Sequence, residues 1–199
     1  MNITMEYDME MINHLIRHRR SVKPAHFNGE VVPDDIIAQM LENARWAPTH
    51  ALTQPWRFTV IGGNGLQTFA TLQQKLYTES TPSEMFNQNK FEKLATAVLQ
   101  SSHIILVGMQ RQITENLPEW EEIAAVAAAV QNMLLTAAAY HIGAYWSTGG
   151  MTKHPDIKKL MGLGEKDKCL GMLHVGMLSV EMPDQPRQPI ADKIQWVVQ

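Results

Sequence analysis

Apolar and polar residues follow two periods along the chain, and these periods separate predicted helices from predicted strands. Apolar residues that return every three or four positions indicate amphipathic helices, whereas short apolar runs bounded by glycine or proline indicate strands. The helices are predicted over Met5–His18, Pro33–Trp46, Leu66–Tyr77, Phe91–Gln100, Pro118–Tyr140 and Asp156–Met161. The strands are predicted over Trp56–Ile61, His103–Gly108, Ala144–Trp146 and Cys169–Leu178.

The longest predicted helix lies in the segment from Asn116 to Gly150. Pro118 suits a first helical turn, and the glutamates that follow it complement the positive end of the helix dipole. From Ile123 to Tyr140 the residues are apolar on almost every side, which is typical of a buried helix. About 24 residues would span roughly 36 Å, the width of a domain. We expect Gly143 to end this helix in a left-handed conformation, and a second subunit to cover its alanine-rich outer face.

These elements predict a single α+β domain over residues 1–199, in which long helices pack on a small sheet. No internal repeat or low-complexity linker divides the chain. The Gly62–Gly65 stretch indicates a turn, because its glycines lack the G-x-G-x-x-G spacing of a dinucleotide-binding fold. The polar, proline-containing segment Thr78–Asn89 is expected to be a loop or a poorly ordered lid.

Composition argues against several classes of function. The formal net charge of −3 and the pI of about 6.2 give no electrostatic basis for binding nucleic acid or an anionic membrane. The one cysteine, Cys169, cannot form an internal disulfide, and an inert buried thiol is expected there. The N-terminus does not resemble a signal peptide, and Gln131 and Asn132 interrupt the apolar helix, so we expect a soluble cytoplasmic protein. The eight histidines are scattered without ligand spacing, so no metal site is predicted.

Two local patterns could carry chemistry. Arg19, Arg20 and Ser21 follow the first helix, and two guanidiniums beside a hydroxyl can hold a phosphate through charge-assisted hydrogen bonds. The alternative is a solvated cap, since cations are favoured at a helix C-terminus. The glycine-rich loop that ends at Gly150 has a backbone that can approach a flat ligand. For His50, in a loop with two prolines, the alternative to ligand binding is a turn histidine whose ring is already hydrogen-bonded.

Four ordered stretches resemble the nitroreductase family of FMN-dependent oxidoreductases. They are Arg19-Arg20-Ser21; Ala47-Pro48-Thr49-His50 with Gln54-Pro55-Trp56-Arg57-Phe58; Ala128-Ala129-Val130-Gln131-Asn132 leading to Gly143-Ala144-Tyr145-Trp146-Ser147-Thr148-Gly149; and Gly176 with Pro186-Arg187-Gln188-Pro189. The resemblance spans nearly the whole chain. It implies a nitroreductase-like sandwich, with a central, mostly antiparallel sheet flanked by helices and the long central helix at a homodimer interface.

The resemblance implies three groups of FMN-binding residues. Those expected at the phosphate and ribityl chain are Arg19, Arg20, Ser21 and Arg187. Those expected to approach the flavin from the partner subunit are Trp46 and His50. Those expected to line the isoalloxazine ring are Trp146, Ser147 and Thr148.

The function implied by the resemblance is that of an FMN-dependent NAD(P)H oxidoreductase. NADH or NADPH would reduce the flavin, which would then reduce a nitroaromatic, a quinone or a related small acceptor in a ping-pong cycle. No catalytic side chain is expected, because FMN carries the chemistry. Two alternatives stay open: a flavin-binding, redox-sensing module without efficient turnover, and an oxygen-dependent enzyme that consumes flavin or dehydrogenates its substrate.

Overall fold

The computed structural model describes residues 7–180 and 182–198 of the chain. The helices are α1 (Met9–His18), α2 (Asp34–Ala44), α3 (Asn64–Ser80), α4 (Gln88–Leu99), α5 (Glu119–Ala139) and α6 (Pro155–Leu160), and the strands are β1 (Trp56–Gly62), β2 (His103–Met109), β3 (Ile142–Ser147) and β4 (Lys168–Met177). The predicted start of the first helix at Met5 lies outside the described residues. Within them α1 begins at Met9, because the Asp8 carboxylate accepts the N–H groups of Glu10 and Met11.

The strands form one sheet in the order β1-β2-β4-β3, and every neighbouring pair is antiparallel. β2 is buried along its whole length, in agreement with its continuous apolar run. The pairing of β2 with β4 shifts between Val107 and Gly108, beside Gly171, whose φ of +124° suits glycine. The predicted α+β sandwich with an antiparallel sheet is confirmed.

Helices cover both faces of the sheet. Successive residues of β2 point to opposite faces, so Ile105 and Val107 contact one layer while Ile104 and Leu106 contact the other. The first layer contains α2 and α5, which form the larger core cluster with these side chains. The second contains α3, α4 and α6, which form the smaller cluster. The sheet therefore separates two apolar cores.

The C-terminus of α5 differs from the prediction. The helix has 21 residues, and the left-handed residue after it is His141, with φ of +56°. Gly143 instead lies inside β3, opposite Gly176 of β4. Both glycines face the ring of Phe27, and a Cβ at either position would come within 2.6 Å of that ring. Close contact with an aromatic ring, rather than helix capping, therefore accounts for Gly143.

α5 is buried on one side only within this chain. Its inner side chains pack against α2 and the sheet, whereas Trp120 and Gln131 are exposed. Asn132 Nδ2 donates a hydrogen bond to the carbonyl of Asn43 on α2 at 3.0 Å. By length and composition α5 could cross a membrane, with a mean hydropathy of 1.4, but its packing is that of a core helix.

The segment between Thr78 and Asn89 is more regular than the loop or lid that its polarity predicted. α3 continues to Ser80, a 3-10 turn covers Ser83–Met85, and the Asn87 side chain caps α4 by accepting the N–H of Lys90. Phe86 packs on Tyr77 with ring centroids 5.3 Å apart, and the Tyr77 hydroxyl accepts the Asn87 N–H at 3.0 Å. Aromatic packing thus fixes a segment that composition alone suggested was loose.

Candidate functional site

The end of α1, the middle of α5 and residues near 184–187 enclose a cleft of about 770 Å³, which we call the arginine cleft. It brings together three arginines that the sequence assigned to an anion: Arg19, Arg20 and Arg187. Gln131 of α5 and Asp184 also line it. The structure therefore joins the N-terminal and C-terminal parts of the predicted phosphate site.

Arg19 is the arginine whose charge is least satisfied. Its Nη1 is buried and has no hydrogen-bond partner among the residues that the structure describes. Burial lowers the pKa of Arg19 from its usual value, and the positive charges of Arg187 and Arg20 lower it further. A partly buried guanidinium among like charges gains stability from a bound anion, so the cleft suits a phosphate group.

Arg20, by contrast, is engaged by its own chain. Nη1 donates to the carbonyls of Arg17 and Arg19 at 2.6 and 2.9 Å, and Nε donates to the carbonyl of Pro183 at 3.2 Å. Nη2 forms an ion pair with the Asp184 carboxylate. Arg20 adds charge to the cleft, but these contacts occupy most of its N–H donors.

The backbone places this arginine segment beside the sheet. The N–H of Val22 donates to the carbonyl of Ala144 in β3 at 3.0 Å. Ser21, the neighbour of Val22, is exposed next to this contact. Because β3 is an edge strand that continues into Trp146, Ser147 and Thr148, the predicted phosphate and ring residues follow one edge of the sheet.

The residues predicted to line a flavin ring have different environments. The Trp146 indole packs against the larger core, and its buried Nε1 has no acceptor within the described part of the chain. Ser147 is half-buried and its Oγ accepts the Gly149 N–H at 3.3 Å. Thr148 is exposed, and its carbonyl accepts the Thr152 hydroxyl at 3.1 Å. The backbone of this loop is thus held by short-range hydrogen bonds.

Ser147 also borders a second cavity of about 590 Å³ between α3, α4 and the sheet, which we call the polar cavity. Its polar lining residues are Gln73, Tyr77, Asn87, Asn89, Lys90, Lys93, Ser147 and His174. The sequence interpretation identified Ser147 in this group, and it included Asn87 and Asn89 only as part of the expected loop or lid over Thr78–Asn89. The only part of the sequence that indicated this group was the polar stretch before Phe91. Gln73 and His174 belong to elements that are far from this stretch in the sequence.

Trp46 and His50 line neither of these two cavities. Trp46 is 72% exposed, and its Nε1 donates to Glu42 at 3.1 Å. His50 Nδ1 lies 2.6 Å from a carboxylate oxygen of Glu121 at the start of α5. Their predicted approach to a flavin in the partner subunit stays a prediction.

Comparison with known proteins gives a consistent result. The family model described as "Nitroreductase family" matches residues 16–177. A Bacillus subtilis (strain 168) protein provisionally named NAD(P)H nitroreductase YfhC is 27% identical over 188 residues, covering 92% of each chain. The crystal structure of a nitroreductase-like family protein from Bacillus cereus is similar with a TM-score of 0.79, at 26% identity over 97% of this chain and 98% of that one. A provisionally named nitroreductase from Desulfovibrio desulfuricans, solved in complex with FMN, has a TM-score of 0.69 at 24% identity over 98% of this chain and 99% of its own.

Proposed function

The chain belongs to the nitroreductase family, and on that premise we propose that it is an FMN-dependent NAD(P)H oxidoreductase that reduces small acceptors. The observation that carries this proposal is the buried Nη1 of Arg19, which has no hydrogen-bond partner among the described residues and lies in a cleft that three further arginines also line. FMN ends in a phosphate, which such a cleft would bind. The relatives add support, since one is named for NAD(P)H and another binds FMN.

We propose that Arg19, Ser21 and Arg187 bind the phosphate, with Arg20 contributing its charge. The ring would lie against Trp146, Ser147 and Thr148, and Ser147 would bring it to the border of the polar cavity. Within the described residues, Arg19 Nη1 at the proposed phosphate contacts and Trp146 Nε1 among the proposed ring contacts are buried donors without a hydrogen-bond partner. The residues present therefore fit FMN.

When bound, FMN supplies the hydride chemistry, and the chain binds and orients it. NADH or NADPH and then the acceptor, a nitroaromatic, quinone or related molecule, would use the same slot in turn, which gives ping-pong kinetics. Lys90 lies at the wall of the polar cavity, with its ammonium 4.7 Å from the centre of the Tyr77 ring. Positive charge beside a flavin ring would favour its acceptance of electrons.

We also propose a homodimer in which Trp46 and His50 reach the partner's flavin. Outer residues of α5, among them Trp120 and Gln131, are exposed, and α1 buries no residue within its own chain. An amphipathic helix with an uncovered apolar side indicates a partner surface. Gln131 belongs both to this outer side and to the arginine cleft, so a subunit seated there would border the cofactor.

The test begins with the visible spectrum of the purified protein, before and after anaerobic addition of NADH or NADPH. We expect flavin absorbance that one or both donors bleach, and faster steady-state oxidation of that donor when a quinone is added. Arg19→Ala should weaken FMN binding about tenfold, because it removes a charge-assisted contact. Lys75→Ala, which removes an exposed cation on α3, is the matched control and should leave binding unchanged.

Two results would contradict the proposal. A colourless protein that takes up no added FMN would rule out the cofactor. A flavin-loaded protein that neither NADH nor NADPH reduces would rule out the donor.

A further inference from the structure

We infer that Arg20 and Asp184 form a latch that holds Arg187 in the arginine cleft, so that the C-terminal segment governs how tightly FMN is retained. The inference rests on the proposed FMN site. Arg20 follows α1, and Asp184 lies in residues 182–198, which we call the C-terminal segment. The latch makes Arg20 and Asp184 positioning residues, while Arg187 and Arg19 contact the phosphate.

The C-terminal segment has few attachments to the rest of the chain. Within the described residues, its hydrogen bonds to other parts of the chain all go to His18 and Arg20. Its remaining hydrogen bonds join residues of the segment itself. Nearly all of its side chains are exposed. The contacts with His18 and Arg20 are therefore its principal anchor.

Arg20 is well suited to act as this anchor. Its side chain is only 10% exposed, and the two carbonyls at the end of α1 fix the orientation of its guanidinium. The free edge of that group then meets the carbonyl of Pro183 and the carboxylate of Asp184. A planar guanidinium held at several points loses little further freedom on binding, so the latch is preorganised.

Arg187 depends on this anchor because it makes no other attachment to the rest of the chain within the described residues. Its Nη1 donates only to the carbonyls of Gln185 and Pro186, at 3.3 and 3.2 Å, both in its own segment. It nevertheless lines the same cleft as Arg19, and it depresses the pKa of Arg19 more than Arg20 does, although less than burial does. Two like charges this close repel each other, so an attachment nearby must keep Arg187 in place until a phosphate is bound.

Asp184 could act in a second, opposing way. As a carboxylate in an anion cleft it would repel the phosphate, and its removal would then tighten FMN binding. His18 Nδ1 at 2.9 Å and the Arg20 guanidinium both contact the same carboxylate oxygen, which reduces this repulsion. The Asp184 side chain is 66% exposed, so solvent screens its charge further. When the Asp184 carboxylate is removed, the loss of Arg187 positioning therefore lowers FMN affinity more than the loss of repulsion between Asp184 and the phosphate raises it.

The experiment compares FMN affinity in four proteins: wild type, Asp184→Asn, Arg187→Ala and the double variant. We expect Asp184→Asn to weaken FMN about fivefold and Arg187→Ala about tenfold. Because Asp184 acts through Arg187, the double variant should bind no more weakly than Arg187→Ala alone. Asp192→Asn removes another exposed carboxylate of the same segment that makes no side-chain hydrogen bond within the described residues, and it should bind FMN normally.

Two further readouts separate the latch from a general loss of structure. Riboflavin lacks the phosphate, so Asp184→Asn should bind riboflavin with the same affinity as the wild type does. Trypsin should cleave after Lys193 faster in Asp184→Asn than in the wild type, because the segment has lost its anchor, while the melting temperatures stay equal.

The latch is overturned if Asp184→Asn binds FMN as tightly as wild type or more tightly, or if it weakens binding further in the Arg187→Ala background. In either case a wild-type protein that binds FMN leaves the proposed function intact. A wild type that takes up no FMN overturns both proposals together.

Discussion

At the scale of single residues, His174 is a buried base that the fold keeps neutral. Its Nδ1 lies 3.0 Å from the Ser101 hydroxyl, whose own proton goes to the carbonyl of Ala97 at 2.9 Å. Nδ1 is therefore the donor in its hydrogen bond to this hydroxyl. Burial lowers the pKa of His174 to about 4, against a smaller opposing effect of the Ala97 carbonyl.

We expect this residue to make stability depend on pH. As the pH falls from about 6.5 to about 4, the unfolded chain binds a proton at this position that the folded chain does not bind, so the folded state loses stability. Below about pH 4 both states are protonated and the loss stops growing. A lowering of the His174 pKa by this much corresponds to a loss of roughly 3 kcal/mol in the free energy of unfolding at low pH.

The measurement is the free energy of unfolding in urea at about pH 7 and about pH 4.5. His174→Asn keeps a donor near the position of Nδ1 and cannot be protonated, so its stability should fall less than that of wild type. Equal losses in the two proteins would show that His174 does not contribute.

The residues of the site differ in how far sequence could identify them. Arg19, Arg20 and Ser21 are adjacent, so their chemistry is visible in a short motif. Asn87 and His174 become neighbours of the polar cavity only when α4 packs on the sheet and β4 pairs with β3. No local period marks such residues, because the contact that gives them a role is tertiary.

At the scale of secondary structure, α5 begins with a buried ion pair. Glu122 is 1% exposed, and its carboxylate pairs with the Arg111 guanidinium and accepts the N–H of Gln112 at 3.1 Å. Arg111 also donates to the carbonyl of Leu117 at 2.6 Å. The pair therefore connects the end of β2 to the first turn of α5.

We expect Arg111→Met to destabilise the protein by about 3 kcal/mol, because it leaves the Glu122 charge buried without a partner. Adding Glu122→Gln should recover part of that loss, since the amide is neutral and can still accept the Gln112 N–H. The check is urea unfolding. Lys168→Met breaks the exposed Lys168–Glu119 pair at the same end of α5 and should cost less than about 1 kcal/mol. Similar losses of stability in Arg111→Met and Lys168→Met would contradict this account.

Helices and strands were predictable from the sequence where the local apolar pattern agrees with the packing of the element in the fold. β2 and α5 have strong apolar patterns, and both occur at the predicted places. The end of α5 was not predictable, because glycine is the usual left-handed residue and here His141 takes that conformation. Likewise the Phe86–Tyr77 contact orders a polar segment, and polarity alone gives no sign of it.

At the scale of the whole molecule, the outer face of α5 should determine the oligomeric state. Trp120, Ala124, Ala128, Gln131 and Leu135 recur at helical spacing on this face, and none of them is buried within the chain. Small side chains allow two helices to approach closely, so a bulky charge among them would prevent contact.

We expect the wild type to sediment as a dimer and Ala124→Arg to sediment as a monomer that retains less FMN. Thr96→Arg, an equivalent change at an exposed position of α4, should remain dimeric and keep its flavin. Sedimentation velocity with detection at the flavin absorbance measures both properties together. A wild type that is monomeric with FMN bound would refute the proposed interface.

The strand order has a consequence for how the protein is made. β4, which begins at Lys168, lies between β2 and β3, although both of these precede it in the chain. During synthesis β2 and β3 therefore leave the ribosome without their shared neighbour, and the edges that will face β4 stay unpaired until β4 has been synthesised. The sheet can close only after β4 has been synthesised, so a chain that stops before β4 would expose apolar strands to aggregation.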